Sequence, residues 1–211
     1  SAPGLAGPQY ATISDDGKNV YAAGGGTVVT TNRDATTGAL TDAGCFKDDS
    51  SGASCTDTAP GLGGSEGIVV SHDGKNVYVV AQGDRAISTF SRNTSTGALQ
   101  YASCISDNAP TGCPNSVPAF AYPRGMTITD DDTGVYAAVA NTGVVGFRRD
   151  PANGNLTHAN TPPSLEPYLM VDVATSRDDR FLYAGSVNRS AVFEFSRDPA
   201  TGNLALLGCV E

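Results

Sequence analysis

Short runs of β-branched and small apolar residues alternate with polar turns along the whole chain. The clearest example is residues 67–80, in which two apolar runs flank the polar turn Ser-His-Asp-Gly-Lys at residues 71–75. Two such runs around an Asp-Gly turn predict a β-hairpin, because Asp bonds its own backbone and Gly accepts a positive φ. The same hairpin occurs three more times, at residues 13–21, 128–136 and 175–183. No window shows a helical period, so the pattern predicts an all-β chain built from repeats.

Two landmarks recur in every repeat, a tyrosine at the end of the hairpin and an arginine seven residues before the leucine of a Gly-x-Leu sequence. The tyrosines are Tyr21, Tyr78, Tyr136 and Tyr183, spaced 57, 58 and 47 residues apart, and the arginines are Arg33, Arg92, Arg149 and Arg197. Each repeat has room for four strands, which in the second repeat are predicted at residues 67–70, 76–81, 86–92 and 98–104. Four-stranded units at this spacing predict a β-propeller.

We predict a single β-propeller domain over residues 1–211, with four four-stranded blades at about residues 1–45, 46–104, 105–166 and 167–211. These blades form either a four-bladed ring or part of a larger ring that another chain or a missing segment completes. The first strand of the first repeat and the last strand of the fourth are both present, so we favour the multi-chain or truncated arrangement. The N-terminus has no charged-then-apolar leader, so we interpret the sequence as mature or trimmed.

The units at residues 70–79 and 195–204 resemble the repeats of the lactonase-type β-propeller family, and they are similar to the related YVTN surface-protein repeats. The resemblance covers nearly the whole chain and implies the propeller fold, with the seven blades that are usual in that family. It also implies a connection with lactone chemistry, since some members open lactones such as 6-phosphogluconolactone. Many other relatives are secreted proteins.

The five cysteines of the chain indicate the cellular compartment in which the protein folds. Cys45 and Cys55 enclose nine residues and Cys104 and Cys113 enclose eight, each pair at the same place in its repeat. This spacing is wider than zinc sites prefer, so we predict two disulfides and no metal at these positions. Disulfides imply an oxidising compartment, so we expect a secreted, extracellular protein. Cys209 occupies the position of Cys45 without a second cysteine after it, and we expect either a free thiol or an intermolecular disulfide.

The net charge of −9 argues against binding to nucleic acid or to anionic membranes, both of which require a basic surface. No stretch approaches the roughly 20 apolar residues of a membrane-spanning helix, so we expect no membrane insertion.

Candidate chemistry lies at the start of the first strand of each repeat, where a propeller channel opens. The residues there differ between repeats, whereas structural positions recur: Gln9 and Tyr10, Glu66, Arg124 and Asp172. Among these the catalytic candidates are Glu66 as a base or metal ligand, Arg124 as an anion clamp, and Asp172. The alternative is a salt bridge between blades without chemistry.

Loops between the second and third strands extend this candidate binding surface with Arg85, Asn141 and Asn188. The neighbouring glycines at residues 24–26 predict a close backbone approach, because no helix follows them to bind a phosphate. The acidic hairpin turns make calcium the one cofactor to weigh, but turn chemistry explains them better, so we expect no cofactor. We expect the recurring arginines to pair with a turn Asp of the same blade, and His72 to be exposed.

Two functions fit these observations. The first, which we favour from the sequence, is a secreted, disulfide-stabilised binding or assembly module. It would self-associate or join another propeller segment, and hold a small-molecule or protein ligand at the channel mouth. The alternative is a lactone hydrolase-like enzyme that uses Glu66 and Arg124 at that mouth.

Overall fold

In the computed structural model every regular element is a β-strand. The structure describes residues 4, 7–107, 112–113, 115–162, 165 and 168–211, with the backbone alone at residues 115–116. Within this part of the chain no helix is both long and apolar enough to cross a bilayer. The strands form four separate sheets, as expected for a propeller with four blades.

The chain divides into two compact units, residues 1–116 and 117–211, and each contains two sheets. In the first unit, blade 1 is the sheet β1 to β5 and blade 2 is the sheet β6 to β10. The strands are β1 (Tyr10–Ile13), β2 (Asn19–Gly24), β3 (Thr27–Arg33), β4 (Leu40–Lys47), β5 (Asp57–Thr58), β6 (Ser65–Val70), β7 (Asn76–Ala81), β8 (Ala86–Arg92), β9 (Leu99–Ser106) and β10 (Asn115–Ser116).

In the second unit, blade 3 is the sheet β11 to β14 and blade 4 is the sheet β15 to β18. The strands are β11 (Pro123–Ile128), β12 (Gly134–Val139), β13 (Gly143–Arg149), β14 (Leu156–Asn160), β15 (Met170–Thr175), β16 (Phe181–Ser186), β17 (Ala191–Arg197) and β18 (Leu204–Val210). Whether the two units form one domain, as the sequence predicts, stays a prediction.

The strand predictions for the second repeat agree closely with the structure. β7 and β8 coincide with the predicted residues, β6 begins two residues earlier, and β9 continues to Ser106. Two strands of two residues each, β5 and β10, were not predicted, and they pair in parallel with β4 and β9. Such short segments have no periodicity from which a strand could be predicted.

Both predicted disulfides are present. Cys45 bonds Cys55 across a Cα–Cα distance of 5.4 Å, and Cys104 bonds Cys113 across 5.1 Å. Each bridge ties the fourth strand of a blade to the segment that follows it. Cys209 lies exposed on β18 as a free thiol.

Each blade buries one face against its neighbour in the same unit. In the first unit, Tyr21, Ala23 and Val28 of blade 1 share a core with apolar side chains of blade 2. In the second unit, blade 3 presents Tyr136, Ala138 and Val144, the residues at the same positions of the repeat, to the core that it shares with blade 4. The first strands of the paired blades also lie against each other, β1 with β6 and β11 with β15.

A buried tyrosine and a buried arginine connect blade 1 to blade 2. The Tyr21 hydroxyl donates to the Gly97 carbonyl oxygen (2.8 Å) and accepts from Arg92 Nε (2.7 Å). Arg92 also donates through Nη1 to the Gly74 carbonyl oxygen (3.0 Å) and through Nη2 to Asp16 Oδ2 (3.1 Å). We call this arrangement the Tyr–Arg joint.

The second unit contains the same joint. The Tyr136 hydroxyl donates to the Gly202 carbonyl oxygen (2.8 Å) and accepts from Arg197 Nε (2.7 Å). Arg197 also donates to the Asp179 carbonyl oxygen (3.1 Å) and to Thr133 Oγ1 (2.6 Å). The recurring tyrosine and arginine of the sequence therefore bind each other across two blades.

The expectation that each arginine pairs with a turn Asp of its own blade is wrong for both joints. Arg92 pairs with Asp16 and Arg197 lies 3.6 Å from Asp131, each in the preceding blade. The turn Asp of blade 2, Asp73, instead accepts from Ser71 Oγ (2.7 Å) in its own hairpin. The carboxylate of each hairpin therefore shapes its own turn, and the arginine reaches across to the neighbouring blade.

We expect Tyr21→Phe to lower the free energy of unfolding by about 1–3 kcal/mol, because the buried Gly97 carbonyl and Arg92 Nε both lose their partner. Tyr136→Phe should have a similar effect. Guanidinium unfolding followed by circular dichroism measures both. Tyr122→Phe, at an exposed position, is the matched control and should change the value by less than about 0.5 kcal/mol. Equal effects of all three substitutions would contradict the role of the joint.

Acid should weaken the first joint. The Ser14 hydroxyl, the Lys18 amide and Arg92 all donate to Asp16, and against the opposing effect of burial they lower the pKa of this carboxyl to about 2. Since the pKa is lowered on folding, this contribution is present above pH about 4 and is lost as the pH falls towards 2. We expect Asp16→Asn to flatten the pH dependence of unfolding in that range. A carboxyl resonance of Asp16 that titrates near pH 4 would refute this prediction.

Candidate functional site

The three charged candidates at the strand starts all lie in β-bulges. Pairing shifts by one residue between Ser65 and Ile68, between Pro123 and Met126, and between Met170 and Asp172. β1 pairs with β2 without such a shift. A bulge bends the strand and redirects a side chain, and bulges are frequent beside active sites. Glu66 and Arg124 occupy the same position of the repeat, whereas Asp172 occupies the next position, that of Gly67 and Gly125.

In the second unit the backbone of the residue after Arg124 lies against Asp172. Gly125, which follows Arg124 in its bulge, packs directly on Asp172, since a Cβ added to this glycine would lie 2.7 Å from the Asp172 Cα. The Asp172 side chain accepts from the Val173 amide (3.0 Å) and remains exposed. Arg124 Nε is buried and has no hydrogen-bond partner among the described residues. A guanidinium nitrogen with unused donor capacity and a solvent-accessible carboxylate thus lie on the adjacent strands β11 and β15.

The first unit contains the remaining strand-start candidates. Glu66 is buried, with 8% of its surface exposed. Gln9 is exposed, and its backbone N–H donates to the Ala23 carbonyl oxygen (2.9 Å). Tyr10 is half-buried against the core of blades 1 and 2. Each of these residues is described within its own unit, so their convergence with Arg124 stays a prediction.

The loop candidates make contacts with the protein itself. The side-chain oxygen Oδ1 of Asn188 accepts from the Leu169 backbone N–H (2.8 Å). The backbone N–H of Asn141 donates to the Tyr168 carbonyl oxygen (2.8 Å). Arg85 Nη1 lies 3.9 Å from Asp107 Oδ2. These contacts shape the loops, and a ligand-binding role for the three residues stays a prediction.

The predicted close approach of the glycines at residues 24–26 is confirmed. A Cβ on Gly24 would lie 2.6 Å from the Pro8 Cα, so no larger residue fits there. Among the described residues no three His, Cys, Asp or Glu side chains gather as a metal site. Calcium binding at the acidic turns is untested and stays a prediction.

A pair of carboxylates near these loops was missed from the sequence. A hydrogen bond links Asp48, which follows β4, to Asp84 in the loop between β7 and β8. Burial and the nearby Asp48 charge raise the pKa of Asp84, against the effect of the Gly63 amide that donates to it (2.8 Å). Burial opposes ionisation of Asp48 as well, but donors from Ser50 lower its pKa. The two residues lie in different blades, so no local pattern in the sequence indicates their contact.

Comparisons with known proteins agree with this architecture. The sequence profile of the family described as "Lactonase, 7-bladed beta-propeller" matches residues 3–173. The chain belongs to the lactonase family of β-propellers. All three bulged strand starts lie within the matched residues. No curated protein matches the chain in sequence.

Two solved structures show the extent of the likeness to this lactonase-family chain. A protein from Lactobacillus plantarum is similar with a TM-score of 0.73 and 19% identity over 99% of this chain and 58% of its own. The periplasmic gluconolactonase of Pseudomonas aeruginosa is similar with a TM-score of 0.72 and 20% identity over 97% of this chain and 54% of its own. The chain thus spans little more than half the length of either structure.

We expect Asp84→Asn to raise the free energy of unfolding at neutral pH. A raised pKa favours the protonated carboxyl on folding, so this contribution is lost as the pH rises through the folded value. Asparagine keeps a neutral donor towards Asp48 and an acceptor for Gly63 without the second negative charge. Unfolding measured between pH 4 and pH 8 should show a flatter profile for this variant than for the wild type.

The exposed Asp49 provides the control, since Asp49→Asn removes one negative charge in the same loop without altering the pair. If both substitutions changed stability equally, general charge reduction and not the Asp48–Asp84 pair would be responsible.

Proposed function

We propose that this protein hydrolyses a sugar lactone at the bulged starts of its first strands. The observation that carries this proposal is the match of residues 3–173 to the lactonase family, which includes all three bulges. The gluconolactonase among the similar structures supports gluconolactone as the substrate to test first. These comparisons favour the enzyme over the binding or assembly module that we favoured from the sequence.

Lactone hydrolysis requires a proton acceptor and a site for developing negative charge. Water adds to the ring carbonyl, the carbonyl oxygen becomes an oxyanion, and the ring C–O bond then breaks to give a hydroxy acid. In our proposal the half-buried Arg124 side chain stabilises the oxyanion through its guanidinium, because its Nε has unused donor capacity. Asp172 accepts the proton from the attacking water, and this proton passes to the ring oxygen as it leaves.

Glu66 is the second candidate base. Its bulge is equivalent to that of Arg124, and burial of its carboxylate would suit a group that works away from bulk water. Variants at Asp172 and Glu66 therefore distinguish the two assignments. In this proposal the residue whose substitution lowers kcat more is the general base.

The two disulfides and the periplasmic location of the similar gluconolactonase support an extracytoplasmic site of action. We propose that the protein acts in a secreted or periplasmic compartment.

The test is proton release from glucono-1,5-lactone and from its 6-phosphate, measured above the spontaneous rate, with and without calcium. We expect Arg124→Gln to lower kcat/KM by roughly 100-fold, as for the loss of one oxyanion donor, and Asp172→Asn or Glu66→Gln to lower it by roughly 100-fold or more. The exposed Arg177→Gln is the charge-matched control and should retain activity. Proton release by the wild-type chain that does not exceed the spontaneous rate would reject the proposal.

A further inference from the structure

Three successive backbone N–H groups before β6 donate to the two carboxyls of the Asp48–Asp84 pair. The Gly63 N–H donates to Asp84 Oδ2 (2.8 Å), and the Gly61 N–H also donates to Asp84. The N–H of Leu62, which lies between them, donates to Asp48. Successive N–H groups of this kind form a concavity that binds negative charge. The turn at residues 61–63 therefore binds both members of the pair.

The backbone of this turn also contacts the loop that carries Asp84. The Asp84 N–H donates to the Gly63 carbonyl oxygen (3.0 Å), and the Gln82 N–H donates to the Gly64 carbonyl oxygen (2.9 Å). A Cβ on Gly63 would lie 2.6 Å from Asp84 Oδ1, so only glycine admits the carboxyl group this closely. The turn and the loop between β7 and β8 are thus joined through backbone and side chain together.

The same turn determines where β6 and its bulge begin. The Ser65 N–H donates to the Leu62 carbonyl oxygen (3.0 Å), and Ser65 Oγ donates to the same oxygen (2.9 Å). Ser65 Oγ also lies 3.3 Å from the Thr27 carbonyl oxygen at the start of β3. Glu66 is the next residue and is buried in the bulge that begins at Ser65. A displacement of the turn would therefore move the backbone of Glu66.

The second unit has a loop of the same length without the two carboxyls. Arg189 has the place of Asp84, as the third of the four residues between β16 and β17, and its guanidinium carbon lies 5.5 Å from the centre of the Tyr168 ring. A blade can therefore pack on its neighbour without a carboxyl at this position. In blade 2 the carboxyl lies against the turn that leads to the buried Glu66.

The hydrogen bond between the two carboxyl groups holds a proton. Burial and the charge of Asp48 raise the pKa of Asp84, so Asp84 is the member that keeps this proton. Burial opposes ionisation of Asp48, but the Ser50 N–H (2.9 Å) and the Ser50 hydroxyl donate to it, and its pKa is lowered. Asp48 is therefore the acceptor of the hydrogen bond, and the pair carries one negative charge.

Five other charged side chains lie on the elements around the pair: Lys47, Asp49, Asp57, Glu66 and Arg85. Lys47 Nζ donates to the Ala53 carbonyl oxygen (3.2 Å), and Arg85 Nη1 lies 3.9 Å from Asp107 Oδ2. Both cations therefore have acceptors outside the pair. The two aspartates are exposed, so solvent screens their charge.

We propose that the Asp48–Asp84 pair positions Glu66 through the turn at residues 61–63, and that one proton on the pair keeps this turn closed. While the proton is present, three N–H donors face a single negative charge. When the proton leaves, two negative charges face each other in a partly buried place, and the turn moves away from Asp84. Asp48 and Asp84 are positioning residues, and their effect on catalysis rests on the lactonase activity proposed above.

The first test needs no substrate and is amide hydrogen exchange of the 211-residue chain, resolved by NMR between pH 4 and pH 8. The protection factors of the amides at residues 61–63 should fall by about tenfold as the pH rises through the pKa of Asp84, the change expected when a buried hydrogen bond is lost. Asp84→Asn should keep the low-pH protection throughout, because it retains a donor and an acceptor without the charge. Asp84→Ala should lower protection at every pH.

The second test is kcat for glucono-1,5-lactone over the same pH range. Asp84→Ala should lower kcat by roughly tenfold or more at every pH, because Glu66 is then misplaced. The wild type should lose kcat on the alkaline side, whereas Asp84→Asn should retain it there. The exposed Asp49→Ala is the matched control and should change neither kcat nor the protection factors.

Identical protection of the three amides in the wild type and in Asp84→Asn at every pH would overturn the proposal. So would protection that rises with pH when calcium is added, since a cation and not a proton would then join the carboxylates. If exchange follows the expected profile but Asp84→Ala retains kcat, the pair does not position Glu66. An inactive wild-type chain would reject the lactonase function, and the exchange profiles would still decide whether the proton keeps the turn closed.

Discussion

The buried tyrosine hydroxyl shared between two blades is the interaction on which the arrangement within each unit depends. Apolar faces alone would bring sheets together without fixing their register, because burial of apolar surface is non-directional. The Tyr21 and Tyr136 hydroxyls each donate to a glycine carbonyl and accept from an arginine, and all of these groups are buried. A shift between the blades would leave several polar groups unsatisfied at once, which is costly inside a protein.

The position of the Tyr–Arg joints is also consistent with irregular strands at the candidate site. The joints hold each pair of blades at the hairpin end, where the second and third strands are regular. The bulges at Glu66, Arg124 and Asp172 lie at the beginning of the first strand, away from the tyrosine and arginine of the joints. Variation between blades is concentrated at these positions, while Tyr and Arg recur. The repeat thus separates the residues that maintain the fold from those available for chemistry.

Much of the fold could be predicted from the sequence because the repeat shows each signal four times. The hairpins, β7 and β8 and both disulfides follow from local patterns and from their recurrence. The pairing of Arg92 with Asp16 and the contact between Asp48 and Asp84 could not be predicted, since they join residues distant in sequence. The bulges had only one local signal, a glycine after Glu66 and Arg124 within an apolar strand. The sequence pattern contains no information about the distances between Glu66, Arg124 and Asp172.

The short parallel strand β5 has a consequence for resistance to proteases. Between β4 and β6 the chain runs through the irregular segment that connects two blades, the kind of exposed loop that proteases cut first. The Cys45–Cys55 bridge closes this segment and β5 pairs its far end with β4, so the backbone there is held at two points. A protease needs a locally extended, mobile stretch of substrate, and this linker offers little of one. After β9 the Cys104–Cys113 bridge and the parallel strand β10 repeat this arrangement.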